Sequence, residues 1–247
     1  DLVRSRGLGD VYKRQLFRVA CFEPITCHRA RQKTCGNELH RRLSMQPLYS
    51  PPNKHNTTGW ILAGGRASRM GGIDKGLQIF RGQTLVQHAI ARLQPQVAQV
   101  IINANRHLAE YALTGCQVVS DTVLTDHGPL SGFLTGLQHC DTEWLVTVPC
   151  DSPFFPIDLF DRLAASVQQQ ALIAMVQTQR TQDNTWELQP VFCLMHRSLC
   201  ASLHDFLQND GHKISEWAHQ QAALGLCNYS KPESGPDPFA NANTLQE

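Results

Sequence analysis

The sequence lacks three features that would each point to a distinct class of protein. Its 247 residues contain no apolar run long enough to cross a bilayer, and its first residues lack the apolar core of a signal peptide. Its nine cysteines are scattered through the chain, many in apolar stretches, which indicates reduced thiols rather than a disulfide framework. Its net charge of +1 gives no sign of nucleic-acid binding. We therefore expect a cytoplasmic protein that binds neither membranes nor nucleic acids.

The small net charge hides two unlike regions. Residues 1–58 carry 11 Lys+Arg and 4 Asp+Glu, whereas residues 59–247 carry 11 Lys+Arg and 17 Asp+Glu. The first region has no sustained hydrophobic periodicity, and its segment RSRGLGDVYKRQ looks like translated vector sequence. The turn-rich stretch Pro51–Gly59 is typical of a linker. We predict that residues 1–57 are disordered or a non-native leader and that residues 58–247 form a single domain.

Short apolar runs alternate with helical patterns from Trp60 onwards. The runs WILA, VAQVIINAN, CQVVSD, WLVTVPCD, LIAMVQTQ and PVFCLM are typical of buried strands, and helical spacing separates most of them. This order predicts an α/β fold with a doubly wound, mostly parallel sheet and helices on both faces. Four strands end in AGG, NAN, SD and CD. Since such sheets bind ligands at the carboxyl ends of their strands, we expect the functional site at this edge.

The loop LAGGRASRMGGIDKG follows the first predicted strand and favours an anionic ligand. Gly64 and Gly65 lack a Cβ, so their backbone amides can approach a phosphate closely. Arg66, Arg69 and Lys75 add positive charge, although the two arginines could equally be solvated. The loop matches neither the Walker A pattern nor the GxGxxG dinucleotide pattern. We interpret its one acid, Asp74, as loop structure.

Two acids and an asparagine end three of the predicted strands, and the two carboxylates would share one cleft if their strands are near neighbours. Asp121 and Asp151 each follow an apolar run, and two carboxylates beside a phosphate loop are suited to hold Mg²⁺ together with substrate phosphates. Either could instead cap the following helix or turn. Asn103 could contact a base or ribose, or be a turn residue. Together with the loop, these residues favour transfer of a nucleotidyl group by positioning and electrostatic stabilisation.

The motifs resemble those of one family of nucleotidyltransferases. LAGGRASRMGGIDK is similar to the superfamily signature, and VIINANR, VVSD, GPLSG, PCDSPFFP and FANANT follow in the order and spacing of the molybdenum cofactor guanylyltransferases, the MobA-type proteins. The resemblance implies a nucleotidyltransferase fold over residues 58–247. It also implies transfer of GMP from GTP to molybdopterin or Mo-molybdopterin, with Mg²⁺ as cofactor and molybdenum-insertion proteins as partners.

The resemblance also implies a role for individual positions. Arg69, Lys75 and Asp151 would be catalytic, and Asp151 would bind the Mg²⁺. Asn241 and Asn243 would lie toward the molybdopterin. The nucleotide would contact Leu62, Ala63, Gly64, Gly65, Lys75, Asn103, Asp121 and Asp151.

The sequence departs from the family pattern at some positions, and other functions remain open. Gln189 stands where the family commonly has histidine, so its contact with the pterin is in doubt. NTLQE lacks the usual proline after Thr244. One alternative is a related cytidylyl- or sugar-phosphate nucleotidyltransferase, because such enzymes share the glycine loop. Another is a nucleotide-binding adaptor without catalysis, against which the presence of Lys75, Asp121 and Asp151 argues.

Overall fold

A computed structural model describes residues 49–64, 74–122, 128–167, 171–180, 183–230 and 237–242. These residues all fall within one structural unit, Gln46–Glu247. The predicted leader, up to residue 48, lies outside them.

In the described residues, the six apolar runs and one further strand form a sheet of seven strands. In chain order the strands are β1 (Thr57–Leu62), β2 (Ile79–Phe80), β3 (Gln83–Thr84), β4 (Gln99–Asn103), β5 (Gln117–Val119), β6 (Trp144–Pro149), β7 (Ile173–Gln179), β8 (Trp186–His196) and β9 (Leu224–Tyr229). The sheet order is β5-β4-β1-β6-β8-β7-β9, whereas β2 and β3 pair only with each other. Only β8 runs antiparallel to its neighbours in the sheet. The predicted mostly parallel sheet is confirmed.

Helices cover both faces of this sheet. They are α1 (Leu85–Leu93), α2 (Leu108–Ala112), α3 (Pro129–His139), α4 (Leu159–Ser166), α5 (Cys200–Gln208) and α6 (Ile214–His219). The alternation of side chains along β1 explains the arrangement, because Ile61 belongs to the core with α1 and α4, and Trp60 to the core with α3, α5 and α6. The doubly wound architecture is therefore confirmed, and β1 lies near its centre.

The chain enters the fold earlier than the sequence indicates. The predicted linker Pro51–Gly59 instead contains a 3₁₀ turn capped by the side chain of Asn53, and β1 already begins at Thr57. Trp144 Nε1 donates a hydrogen bond to the Ser50 carbonyl at 2.9 Å, and the rings of Tyr49 and His196 lie 4.2 Å apart. The sequence indicated the turn-forming residues, whereas the contacts with Trp144 and His196, which are distant in the chain, leave no local sequence pattern.

Four of these strands and helices were not predicted, namely β2, β3, α2 and β9. The hairpin β2–β3 and helix α2 are too brief to show a period, since none exceeds five residues. Strand β9 gives a misleading pattern in the sequence, since the apolar Leu226 is exposed whereas Gly225 and Cys227 are buried. Helix α4 is shorter than the predicted Pro156–Gln170. Within the described parts of the chain, no helix has the length and apolar content needed to cross a membrane.

Candidate active site

Strand register brings the predicted site residues to one edge of the sheet. The last residue of β1, Leu62, is level with Asn103 on β4 and with Pro149 on β6, and Asn103 is level with Val119 on β5. The backbone pairing continues beyond the strand ends, since Ala63 N donates to the Asn103 carbonyl at 2.8 Å. The residues that follow the four strands therefore emerge side by side, as predicted for a ligand site.

Asn103, Asn105 and Asp121 form a hydrogen-bonded group that we call the amide–carboxylate cluster. Asn103 Nδ2 donates to Asp121 Oδ1 at 2.8 Å, and Asn105 Nδ2 donates to Asp121 Oδ2 at 2.7 Å. Asp121 N donates in return to Asn105 Oδ1 at 2.8 Å. Both carboxylate oxygens thus accept amide donors, which fixes the orientation of all three side chains.

The structure excludes a helix-cap role for Asp121 and a solvent-facing turn position for Asn103. Asp121 does not cap the next helix, because α3 begins at Pro129 with Gly128 as its N-cap. Asn103 is almost fully buried, with 1% of its surface exposed, so it is not a solvent-facing turn residue. Both residues are brought together as predicted. Asn105 was missed, although its position two residues after Asn103 is the spacing that places two side chains on one face of an extended chain.

Two glycines pack directly against the cluster. A Cβ on Gly64 would lie 3.0 Å from Asn105 Nδ2. A Cβ on Gly132, near the start of α3, would lie 2.5 Å from Asn103 Oδ1 and 2.5 Å from Leu62 Cδ2. Because carbon atoms do not approach so closely without displacement, only glycine allows α3 to reach this position. The motif GPLSG therefore supports the site through packing.

Lys75 and Asp151 meet on the other side of the site. Lys75 Nζ lies 3.4 Å from Asp151 Oδ2, and their side chains are 39% and 16% exposed. The two residues come from different elements, since Lys75 begins a 3₁₀ turn and Asp151 follows β6. A partly exposed pair at this distance contributes little to stability. The pair instead places a cation and a carboxylate together at the sheet edge.

Asp151 is held by its backbone while its carboxylate faces Lys75. Ala242 N donates to the Asp151 carbonyl at 2.7 Å, and the Ser152 hydroxyl donates to Asn241 Oδ1 at 3.1 Å. Ser152 is fully buried, and sequence reasoning missed it. Asp151 does not cap a helix, because α4 begins only at Leu159. The segment 237–242 is therefore part of the structure around the site.

Asp74, interpreted as loop structure, is a buried N-cap of the turn that carries Lys75. Its Oδ1 accepts a hydrogen bond from Gly76 N at 3.1 Å and another from the hydroxyl of Tyr111. Burial and this hydrogen bond raise the pKa of Tyr111 well above its ordinary value, so the hydroxyl remains a donor. Burial likewise raises the pKa of the Cys150 thiol, beside Asp151, which keeps it neutral and unreactive.

The other predicted residues divide into three groups. Leu62, Ala63 and Gly64 follow the course of β1 to the site. Gln189 lies on β8, where its Nε2 donates to Thr178 Oγ1 at 3.1 Å. The remaining positions, Gly65, Arg66, Arg69 and Asn243, lie outside the described residues.

The described side chains offer a metal ion only a partial site. Among them, no group of three or more histidine, cysteine, aspartate and glutamate side chains is arranged to hold an ion. Asp151 nevertheless presents a carboxylate at the sheet edge, beside a cation that can bind phosphate. This fits Mg²⁺, which is often held by one or two carboxylates and by substrate phosphates. Asp121 is less suited, because both its oxygens already accept hydrogen bonds.

Comparisons with known proteins show which family the chain is similar to. A family model described as a MobA-like NTP transferase domain matches residues 59–223. A molybdenum cofactor guanylyltransferase of Acidovorax sp. (strain JS42) is 51% identical over 78% of this chain and 93% of its own length. One from Bordetella pertussis is 46% identical over 79% of this chain and 96% of its own length.

Solved structures show the same fold at low sequence identity. Molybdopterin-guanine dinucleotide biosynthesis protein A from Archaeoglobus fulgidus matches with a TM-score of 0.51 and 16% identity, over 70% of this chain and 83% of that one. A 4-diphosphocytidyl-2C-methyl-D-erythritol synthase from Anaerococcus prevotii matches with a TM-score of 0.55 and 13% identity, over 71% and 87%. The family resemblance of the motifs is confirmed, and the chain belongs to the MobA-like NTP transferase family together with the molybdenum cofactor guanylyltransferases.

Proposed function

We propose that this protein transfers GMP from GTP to molybdopterin and releases pyrophosphate, which forms the molybdopterin guanine dinucleotide. The observation that carries the proposal is the meeting of the Lys75–Asp151 pair and the amide–carboxylate cluster at one edge of the sheet. Each supplies a different half of a nucleotide site, and the curated relatives with 46–51% identity are named for this reaction.

The cluster would receive the nucleoside part of GTP. Asn103 and Asp121 contact the nucleotide in this proposal, and Asn105 fixes the carboxylate of Asp121 through two hydrogen bonds. Gly64 leaves the backbone after β1 open to the ligand, because no side chain intervenes. A site whose hydrogen bonds are already formed loses little entropy when the ligand binds.

Lys75 and Asp151 would receive the triphosphate. Lys75 is the phosphate-binding cation, and the carboxylate of Asp151 is the protein ligand for Mg²⁺. When bound, Mg²⁺ would neutralise charge on the phosphates. Since Lys75 and Asp151 are 3.4 Å apart, substrate binding would exchange the partner of the lysine from a carboxylate to a phosphate oxygen. Arg69 is proposed to add a second cation.

The reaction itself needs positioning rather than a covalent intermediate. A terminal phosphate oxygen of molybdopterin attacks the α-phosphorus of GTP. The bond from that phosphorus to the bridging oxygen breaks, and pyrophosphate leaves with the electron pair. Lys75 stabilises the charge that develops on the leaving group, and removal of one such electrostatic contact typically costs about 10²–10³ in rate.

The acceptor side of the proposal depends on the C-terminal segment. Asn241 contacts Ser152 next to Asp151, which supports a place for the pterin near this segment. The acceptor is molybdopterin or Mo-molybdopterin, supplied by molybdenum-insertion proteins in the cytoplasm. Residues 58–247 are proposed to act as the single catalytic domain.

A direct transfer assay tests the proposal. The protein is incubated with Mg²⁺, molybdopterin and GTP labelled at the α-phosphate, and the products are separated by chromatography. We expect labelled guanine dinucleotide and an equal amount of pyrophosphate. A preference for CTP over GTP would identify a cytidylyltransferase instead. GTP binding without product under all acceptor conditions would identify a nucleotide-binding adaptor.

A further inference from the structure

The turn that carries Lys75 is attached to the protein interior by a buried acid. Asp74, directly before Lys75, is 9% exposed, and its Oδ1 accepts hydrogen bonds from Gly76 N and from the Tyr111 hydroxyl. Tyr111 is fully buried on α2. A buried carboxylate is costly unless hydrogen bonds compensate its lost solvation. Both described donors bind the same carboxylate oxygen, since Gly76 N belongs to the turn and the Tyr111 hydroxyl belongs to α2.

Close packing leaves this turn no room to shift toward α2. A Cβ on Gly76 would lie 2.3 Å from the Tyr111 hydroxyl and 3.2 Å from its ring. The turn therefore rests directly on the tyrosine, and any larger residue at position 76 would push it away. Backbone hydrogen bonds from Leu77 N to the Asp74 carbonyl and from Gln78 N to the Lys75 carbonyl complete the turn.

Lys75 combines a backbone held by the turn with a partly exposed ammonium group. Its neighbours on both sides are buried, whereas its own side chain is 39% exposed and reaches Asp151. A purely structural core contact could be made by apolar residues, since replacing buried polar groups with well-packed hydrophobic ones is often neutral or stabilising. A hydrogen-bonded carboxylate, in contrast, fixes direction as well as distance.

We infer that Asp74 and Tyr111 are positioning residues, which hold the backbone of Lys75 so that its ammonium group meets the phosphates of the nucleotide. The inference rests on the proposed function, because it assigns Lys75 to the phosphates. It adds two residues that do not touch the substrate themselves. Misplacement of a catalytic group by a short distance can cost a large part of the rate, which gives such an anchor its effect.

A double-mutant cycle between Tyr111 and Lys75 tests the inference. The affinity for GTP is measured by titration calorimetry in the wild type, Tyr111→Phe, Lys75→Ala and the double variant. Loss of a hydrogen bond to a charged group should weaken GTP binding about tenfold or more in Tyr111→Phe. In the Lys75→Ala background the same substitution should change the affinity by less than about twofold, because its effect passes through the lysine.

A matched control and a rescue sharpen the test. Tyr229 is another buried tyrosine, whose hydroxyl has no hydrogen-bond partner in the described structure, so Tyr229→Phe should leave GTP affinity unchanged. Asp74→Asn keeps an oxygen acceptor and should retain most of the affinity, whereas Asp74→Ala should lose as much as Tyr111→Phe. If Tyr111→Phe fails to fold, the pair of Asp74 variants is combined with Lys75→Ala in the same cycle.

The outcomes separate the inference from the proposed function. Equal losses of affinity with and without Lys75 would show a general structural role and overturn the inference. Unchanged affinity in Tyr111→Phe and Asp74→Ala would also overturn it. A wild-type protein that binds GTP but transfers no GMP to molybdopterin would refute the proposed function, while the coupling between Tyr111 and Lys75 could still be measured by binding.

Discussion

Gly132→Ala introduces a methyl group where α3 touches the amide–carboxylate cluster. The new Cβ would lie 2.5 Å from Asn103 Oδ1, whereas an ordinary contact begins at 3.4 Å. Asn103 must therefore move, and its 2.8 Å hydrogen bond to Asp121 would lengthen beyond the range of a real bond. Losing a hydrogen bond to a charged group costs about 1.5–3 kcal/mol, which corresponds to about a 10- to 150-fold weaker affinity for GTP.

The effect of Gly132→Ala on stability should be smaller than its effect on binding. Overpacking of a well-packed site costs about 1–3 kcal/mol, and the gain in helix propensity from glycine to alanine returns about 1 kcal/mol. For a domain of this size, a net loss of about 1 kcal/mol lowers the melting temperature by about 2–4 °C. Thermal unfolding and calorimetric titration with GTP measure the two effects separately.

Gly136→Ala, one helical turn further along α3, is the matched control. Its Cβ would crowd Leu145 Cδ2 at 2.8 Å and Trp60 Cε2 at 3.0 Å, both in the core and away from the cluster. We expect a comparable loss of stability and no change in GTP affinity. If both variants weakened GTP binding equally, or if Gly132→Ala bound GTP like the wild type, the assigned role of Asn103 would be wrong.

Four further predictions concern the site and its surroundings. Lys75→Ala should lower kcat/KM for transfer about 10²–10³-fold in steady-state assays, because a cation beside the phosphates is lost; unchanged turnover would refute the assignment. Asp151→Asn should raise the Mg²⁺ concentration required for activity, or abolish activity, and a wild-type Mg²⁺ titration would argue against metal binding. Asn105→Ala removes both hydrogen bonds to Asp121 and should weaken GTP binding about tenfold, as measured by calorimetry. Burial lowers the pKa of His196, so the unfolded chain takes up this proton at a higher pH than the folded chain. The free energy of unfolding should then be highest above about pH 6.5 and decrease as the pH falls below that value. His196→Gln should weaken this dependence on pH, as measured by denaturant titrations at several pH values.

The sequence carries enough local information to predict the sheet and the edge where the site lies. Apolar runs such as Trp60–Ala63 are long enough to identify buried strands. Ligand sites in α/β sheets lie at the carboxyl ends of such strands, which indicates the edge. On this basis Asn103 and Asp121 were predicted to lie at one edge of the sheet, whereas the pairing of their strands is known from the structure. This prediction is possible because the hydrophobic periodicity and the direction of a strand can both be recognised in a short segment of sequence.

Other parts of the site depend on contacts between distant segments. Nothing near Asp74 in the sequence indicates that Tyr111 will bind it, and nothing near Ser152 indicates Asn241. That Asp151 does not cap a helix became clear only when the start of α4 was known. Short elements such as β2 and α2 likewise owe their form to packing rather than to local periodicity.

The hydrogen bonds that join Asp151 and Ser152 to the segment 237–242 also affect the order in which the site can assemble during synthesis. A chain is synthesised from its N-terminus, and its early parts can fold while later parts are still being made. The amide–carboxylate cluster and its packing partner Gly132 all precede β6, so that half of the site can assemble on a growing chain. The turn at Asp151, in contrast, cannot form these hydrogen bonds until Asn241 and Ala242 have left the ribosome. A nascent chain would thus form the amide–carboxylate cluster before the turn at Asp151 is secured, and the candidate site would be complete only after Ala242 has been made.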